Sequence, residues 1–265
     1  KAEYAEALKT FERLMDTAIT FSDVSGGLYT TNLGIEATKV YTRLTLSAMT
    51  ITSVLPENCV NSTKLWDFPS VASLARTFLE TCHRYLYLSE RNLDEQDEKF
   101  RLKLYFFHMN SEKYRLFKEF GADQKTLSNF EENLPKAKDA LMSSPIYSTL
   151  STHMAEKVRR GNTGMHLSDD ALAERYCLLG GKFKPIYRLL SNHSHGAPFA
   201  TYSQSNERGR GFENNAEVDY ITLTLMLLNQ YLAIVIQRQV KLLSLELVDP
   251  PALEHTKQVF SFEGI

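Results

Sequence analysis

Apolar residues recur every three to four positions along most of this chain, the spacing that gathers them on one side of a helix. Tyr4, Leu8, Phe11, Met15 and Ile19 predict a first helix over about residues 2–21, which Ser25-Gly26-Gly27 stops. Val40, Leu44, Ser47, Ile51 and Leu55 repeat the period over about residues 35–55, and Pro56 ends that element. The run Trp66-Asp67-Phe68-Pro69-Ser70 reads as a helix start, because proline suits a first turn and Asp67 or Ser70 is placed to satisfy free amides. The helix should run to about residue 90.

Asp94-Glu95-Gln96-Asp97-Glu98 opens a further helix that turns basic towards Lys118, a polarity that complements the helix dipole, with Gly121 as its stop. A mostly polar helix over about residues 123–142 is predicted to be peripheral; Pro145 and a short segment ending near Arg159-Arg160-Gly161 follow it. Ser168-Asp169-Asp170 caps a helix carrying Leu172, Tyr176 and Leu179 as far as Gly180-Gly181, and a second short helix runs from about residue 183 to residue 193 or 195. The loop over residues 196–215 exceeds the usual connection length and carries Arg208-Gly209-Arg210-Gly211. A final long helix over about residues 216–246 contains a membrane-like stretch, residues 220–237, but Asn229 and Gln230 at its centre favour a buried core helix. The expectation is one all-α domain spanning residues 1–265: a helical bundle of about seven to nine helices with an elaborated middle.

Composition narrows the classes. Among 265 residues, 43% are hydrophobic and 11% aromatic, enough apolar surface to offset chain entropy. Thirty Lys and Arg against 32 Asp and Glu leave a net charge of −2, which argues against a protein that coats nucleic acid non-specifically while leaving room for a local basic site. Three widely spaced cysteines (Cys59, Cys82, Cys177) fit neither a disulfide framework nor a cysteine zinc site, so a reducing, cytoplasmic setting is expected, with no membrane partner. The opening residues carry no leader pattern, although the first is Lys1 and not Met.

Two segments place reactive side chains at telling spacings. Arg76, Glu80, His83 and Tyr87 fall at i, i+4, i+7 and i+11 and form a polar stripe on a helix whose other sides are apolar. The stripe is either a surface ion pair with incidental neighbours or a partly buried pair facing a cleft. In the second segment, residues 187–196, a turn of 100° per residue brings His195 within about 20° of Arg188, whereas His193 lies about 140° away. Arg188, Ser191 and His195 therefore share a face with Lys184. Arginine stays charged while histidine titrates around pH 6.5, so together they suit phosphate chemistry; equally, residues of this kind simply favour a helix C-terminus.

Arg188 with His193 or His195 resembles the Arg-x4-6-His signature of the HEPN superfamily, all-helical domains that include RNA-cleaving toxins and defence proteins. An Arg-x3-Glu helix (Arg76, Glu80) followed by Tyr-Arg-Leu-Leu-Ser-x3-His (Tyr187 to His195) is also similar to a bacterial helical family grouped near it. The resemblance implies a HEPN-like core, often a homodimer. It also implies metal-independent attack of an RNA 2′-hydroxyl on the adjacent phosphate, with Arg188 stabilising charge and His195 or His193 as general acid or base. Arg76, Glu80, His83, Lys184, Tyr187, Ser191, Asn192, Arg208 and Arg210 are the candidate substrate contacts. Active members commonly carry a polar residue directly after the arginine, where this sequence has Leu189.

Two other readings compete. Glu80-x-x-His83 has the spacing used in di-iron bundles and His193-x-His195 adds imidazoles, but no second Glu-x-x-His occurs, so no metal or other cofactor is assigned. Phosphate-loop, nucleophile-elbow and zincin motifs are absent from the sequence, which disfavours ordinary NTPases, hydrolases and zincins. The remaining alternative is a non-catalytic helical module that binds a nucleotide, a small anion or a protein partner through the same cationic face.

Overall fold

The computed structural model describes residues 1–56, 64–202, 204–206 and 208–261. Cys59 lies outside the described residues. Twelve α-helices and one 3₁₀ turn make up the regular structure of the described residues, with a single isolated β-bridge between Trp66 and Gly211. The all-α class follows from the sequence periodicity, but the helices outnumber the seven to nine expected because three short ones interrupt segments read as connections or tails.

Residue packing divides the chain into two compact units, Lys1–Ser89 with Asp169–Ile265, and Glu90–Ser168. The first contains α1 (Ala2–Val24), α2 (Asn32–Val54) and α3 (Phe68–Leu88) before the break. After it come α8 (Asp169–Arg175), the 3₁₀ turn (Leu178–Gly181), α9 (Phe183–Ser194), α10 (Pro198–Tyr202), α11 (Asn215–Leu243) and α12 (Pro250–Val259). Its core is built on α11, which packs against α1, α2, α3 and α12. Leu225, Leu228, Leu232, Ile234, Val235, Ile236 and Val240 are fully buried there, each contributing roughly 1.5–3 kcal/mol. By length and composition α11 is apolar enough to cross a membrane; 72% of its most apolar window is buried in the protein, as expected of a core helix. Asn229 inside that stretch donates to the Ala7 carbonyl, tying α11 to α1.

Local sequence explains most helix starts. Thr31, Asn214 and Asp249 each accept a first-turn amide of the helix they precede. At α3 the expected local cap is replaced: Asp67 makes no capping bond to the backbone, and the Phe68 amide instead donates to the Glu217 carboxylate of α11, 3.2 Å away. A buried residue from a distant segment thus does the work assigned to the adjacent one.

The second unit consists of α4 (Glu95–Glu119), α5 (Gln124–Met142), α6 (Pro145–Ser148) and α7 (Thr152–Arg159). The segment read as elaboration of one domain has a core of its own, in which Phe100, Leu104, Phe107, Leu141 and Val158 are buried. Helix α5 is as peripheral as its polarity predicts, burying only Leu141 fully. Gly161, at φ +65°, closes against α4, where a Cβ would stand 2.3 Å from Ser111 Oγ.

Candidate functional site

Helices α3 and α9, both in the first unit, pack side by side. The setting of α9 is decided by Phe183, Leu190 and His193, which are buried and fall on its core-facing side. Phe183 packs on the His83 ring at 4.9 Å and on the Tyr187 ring at 5.4 Å. Lys184, Arg188 and His195 are consequently turned outward and are exposed.

Arg76 is the hub where the two helices meet. Its Nε donates to the Tyr187 hydroxyl at 3.1 Å, its Nη1 reaches His195 Nε2 at 2.5 Å, and its Nη2 pairs with Glu80 Oε1 at 3.2 Å. The guanidinium also lies 5.3 Å from the centre of the Tyr187 ring. Tyr187 in turn donates its hydroxyl proton to Glu80 Oε1 at 2.5 Å. Because arginine has no acceptor, the Arg76 contact requires a lone pair on His195 Nε2 and so fixes the imidazole proton on Nδ1. Three of the guanidinium's five N–H groups are used, and one remains on each Nη. The bond to Tyr187 is the main cause that raises the Arg76 pKa further, so its charge is permanent. Tyr187 is raised first by burial and then by its bond to Glu80, and stays a neutral donor.

The other predicted residues separate into three groups. Arg188 is exposed on α9 and, among the described residues, makes no ion pair or side-chain hydrogen bond and no hydrogen bond to His195. Near it, the Asn192 amide donates to the Arg188 backbone carbonyl, Ser191 is half-buried, and Lys184 pairs with Asp170 at 3.4 Å. His83 is fully buried and both its nitrogens are taken, Nδ1 by Asp169 at 2.9 Å and Nε2 by the Tyr231 hydroxyl at 2.9 Å. Tyr87 is likewise buried in the core.

His193 occupies a different environment from His195. It is 6% exposed, its ring lies 4.6 Å from that of Phe68 and 6.2 Å from those of Tyr220 and Phe199, and among the described residues neither ring nitrogen has a hydrogen-bond partner. Burial, and secondarily the charge of Arg208, pull its pKa below the usual histidine value. Arg208 folds over the Tyr220 ring at 4.9 Å and pairs with Glu217 Oε1 at 3.6 Å, while Arg210 Nε donates to the Ser205 carbonyl. The glycine-containing loop is thus fastened to its own unit, helped by the Trp66–Gly211 bridge.

Sequence spacing found Arg76, Glu80, Tyr187 and His195, but not the partners of the buried groups. Asp169 carried only the signal of a helix cap, Glu217 that of a first-turn acid, and Tyr231 that of a core residue. Among the described residues no three His, Cys, Asp or Glu side chains converge as a metal site. The chain matches no family model, no curated protein and no solved structure.

Proposed function

We propose that the α3–α9 cluster binds a phosphate of single-stranded RNA and cleaves beside it without a metal, as in a HEPN-like ribonuclease. The observation that carries this reading is the exposed His195 imidazole held against the Arg76 guanidinium, with Arg188 unpaired on the same helix face. A phosphate entering this face takes the free N–H groups of Arg76 together with Arg188. It draws Arg76 off His195, and the Nε2 lone pair becomes available as a base. The 2′-hydroxyl then gives its proton to Nε2 as its oxygen attacks phosphorus. The bond to the 5′-oxygen breaks, that oxygen takes a proton from solvent, and a 2′,3′-cyclic phosphate remains. The arginines offset charge on the phosphoryl oxygens. Cytoplasmic action on RNA in a bacterial defence or toxin setting, by a homodimer, belongs to the same proposal.

One observation favours the second reading, a non-catalytic module for a nucleotide, small anion or protein partner. Glu80 accepts from both Arg76 and Tyr187, so the hub is a largely self-satisfied network, and Leu189 stands where active ribonucleases carry a polar residue. Incubating the protein with end-labelled single-stranded RNA in EDTA separates the two. We expect slow cleavage leaving cyclic phosphate ends, abolished by His195→Ala and by Arg188→Ala with unchanged helical circular dichroism. Cleavage that survives both substitutions refutes the assignment; no cleavage, with thermal stabilisation by an added nucleotide, selects the binding module.

A further inference from the structure

Helix α9 carries positive charge well beyond the point where it meets Arg76. Its residues, 183–194, include no carboxylate, and its outward face presents Lys184, Arg188 and, at the C-cap, His195, all three exposed. At 100° per residue Arg188 stands about 40° round the helix from Lys184 and His195 about 20°, so the three form one line. Along the axis Lys184 lies about 6 Å from Arg188, a single turn, and Arg188 about 10 Å from His195. Arg76 joins the line from α3, 2.5 Å from His195 Nε2. The cations differ in what holds them. Among the described residues Arg188 makes no ion pair or side-chain hydrogen bond, whereas Lys184 is held by Asp170 of α8 at 3.4 Å. With the lysine side chain 76% exposed and the aspartate 45%, that pair is weak and readily exchanged for another anion.

We propose that α9 is a two-phosphate track for a nucleic-acid strand: one phosphate lies between Arg76 and Arg188, and the next lies on Lys184, which gives up Asp170 to take it. The inference rests on reading the α3–α9 cluster as a phosphate site and extends that reading to a substrate class, a polynucleotide. A strand carries one phosphate per nucleotide and so presents a second anion one step along its backbone. A mononucleotide or an inorganic anion fills only the Arg76–Arg188 end. Successive phosphates of a nucleoside triphosphate share a bridging oxygen and sit too close together to serve both ends at once. Lys184 acts as a point charge without base contacts, so it selects for the length of the strand and not for its sequence.

Displacement of a fluorescent oligodeoxythymidylate from the whole protein, followed by anisotropy, tests the track. The competitors lack a 2′-hydroxyl, so binding is read apart from cleavage. One is the thymidine trimer with its two phosphates; the other is the same trimer with one phosphate replaced by a neutral methylphosphonate, equal in length and bases but one charge poorer. The two-phosphate trimer should bind about fivefold tighter, with a salt slope steeper by about 0.7. Lys184→Gln should bring the ratio of the two affinities close to one. Asp170→Asn, which releases the lysine, should raise the ratio about twofold. Both substitutions lie on the surface, and circular dichroism checks that the helices persist. A ratio near one in the parent protein, or a ratio that survives Lys184→Gln, overturns the track even where RNA is cleaved. The expected ratios in a protein that cleaves no RNA keep the track and dismiss the catalytic reading. No displacement by either trimer at millimolar concentration overturns the track as well.

Discussion

Replacing His193 with leucine should stabilise the protein, and by more at low pH than at high. The ring sits among Phe68, Phe199 and Tyr220 with two desolvated nitrogens and no hydrogen bond, so the native side chain carries an unmatched polar cost of about 1–3 kcal/mol. Leucine is close in volume, apolar and a better helix former, and recovers roughly 1–2 kcal/mol of that near pH 8. The pH dependence follows from linkage. The folded-state pKa of His193 is lowered, chiefly by burial and then by Arg208, so between that value and the unfolded value of about 6.5 the unfolded chain binds more protons. Stability therefore rises with pH in this window and falls as pH drops through about 6.5, by at most about 1.4 kcal/mol per unit. His255, lowered by burial and Arg13, contributes with the same sign but is present in both proteins and cancels in the difference. Urea denaturation followed by the fluorescence of the single tryptophan, Trp66, reads this unit directly. A variant less stable than the parent, or a difference that stays flat from pH 8 to pH 5, would refute the reasoning.

Other substitutions probe the remaining features. Tyr187→Phe removes the hydroxyl that accepts from Arg76 and donates to Glu80; denaturation should register a loss of about 1 kcal/mol, and RNA cleavage should slow more than folding weakens because His195 loses its fixed neighbour. Gly161→Ala forces a Cβ into Ser111 at a left-handed position and should cost about 2–4 kcal/mol, seen as faster proteolysis of residues 90–168 while the Trp66 transition holds. Arg238 is 2% exposed; its Nη2 donates to the Tyr176 hydroxyl, and among the described residues its Nε and Nη1 find no partner. Arg238→Met should therefore raise stability by about 1–4 kcal/mol in urea, and a loss would mean an anionic partner had been removed.

The helices were readable because a period near 3.6 and a few stop residues suffice to mark them. The first predicted helix ends within three residues of α1, and the predicted helix over residues 123–142 matches α5 almost throughout. Helix α12 has no counterpart among the predicted helices even though Asp249 before two prolines is a start signal; its apolar positions are few, and the predicted final helix ends near residue 246, leaving residues 250–259 as a tail. The angular arithmetic put His195 and Arg188 on one face and His193 about 140° away, and the structure exposes the first two and buries the third, since a helix's faces follow from sequence alone while the choice of buried side does not. What spacing could not supply was tertiary partnership. That Arg76, and not Arg188, meets His195 depends on how α9 lies across α3, which is decided by Phe183 and Leu190 against a core assembled from distant segments. The capping of α3 by Glu217, 149 residues further on, is legible only in three dimensions for the same reason.

The middle helices are inserted into the first unit at a point where its backbone nearly meets itself. His83 and Asp169 are hydrogen-bonded at 2.9 Å, and Ser89 lies only six residues beyond His83, about 9 Å along a helix. A splice of about five flexible residues joining position 89 to position 169 therefore spans the gap with little closure entropy. Such a shortened chain should keep the Arg76–Tyr187–His195 hub and Trp66 in native surroundings, since all four residues belong to the first unit.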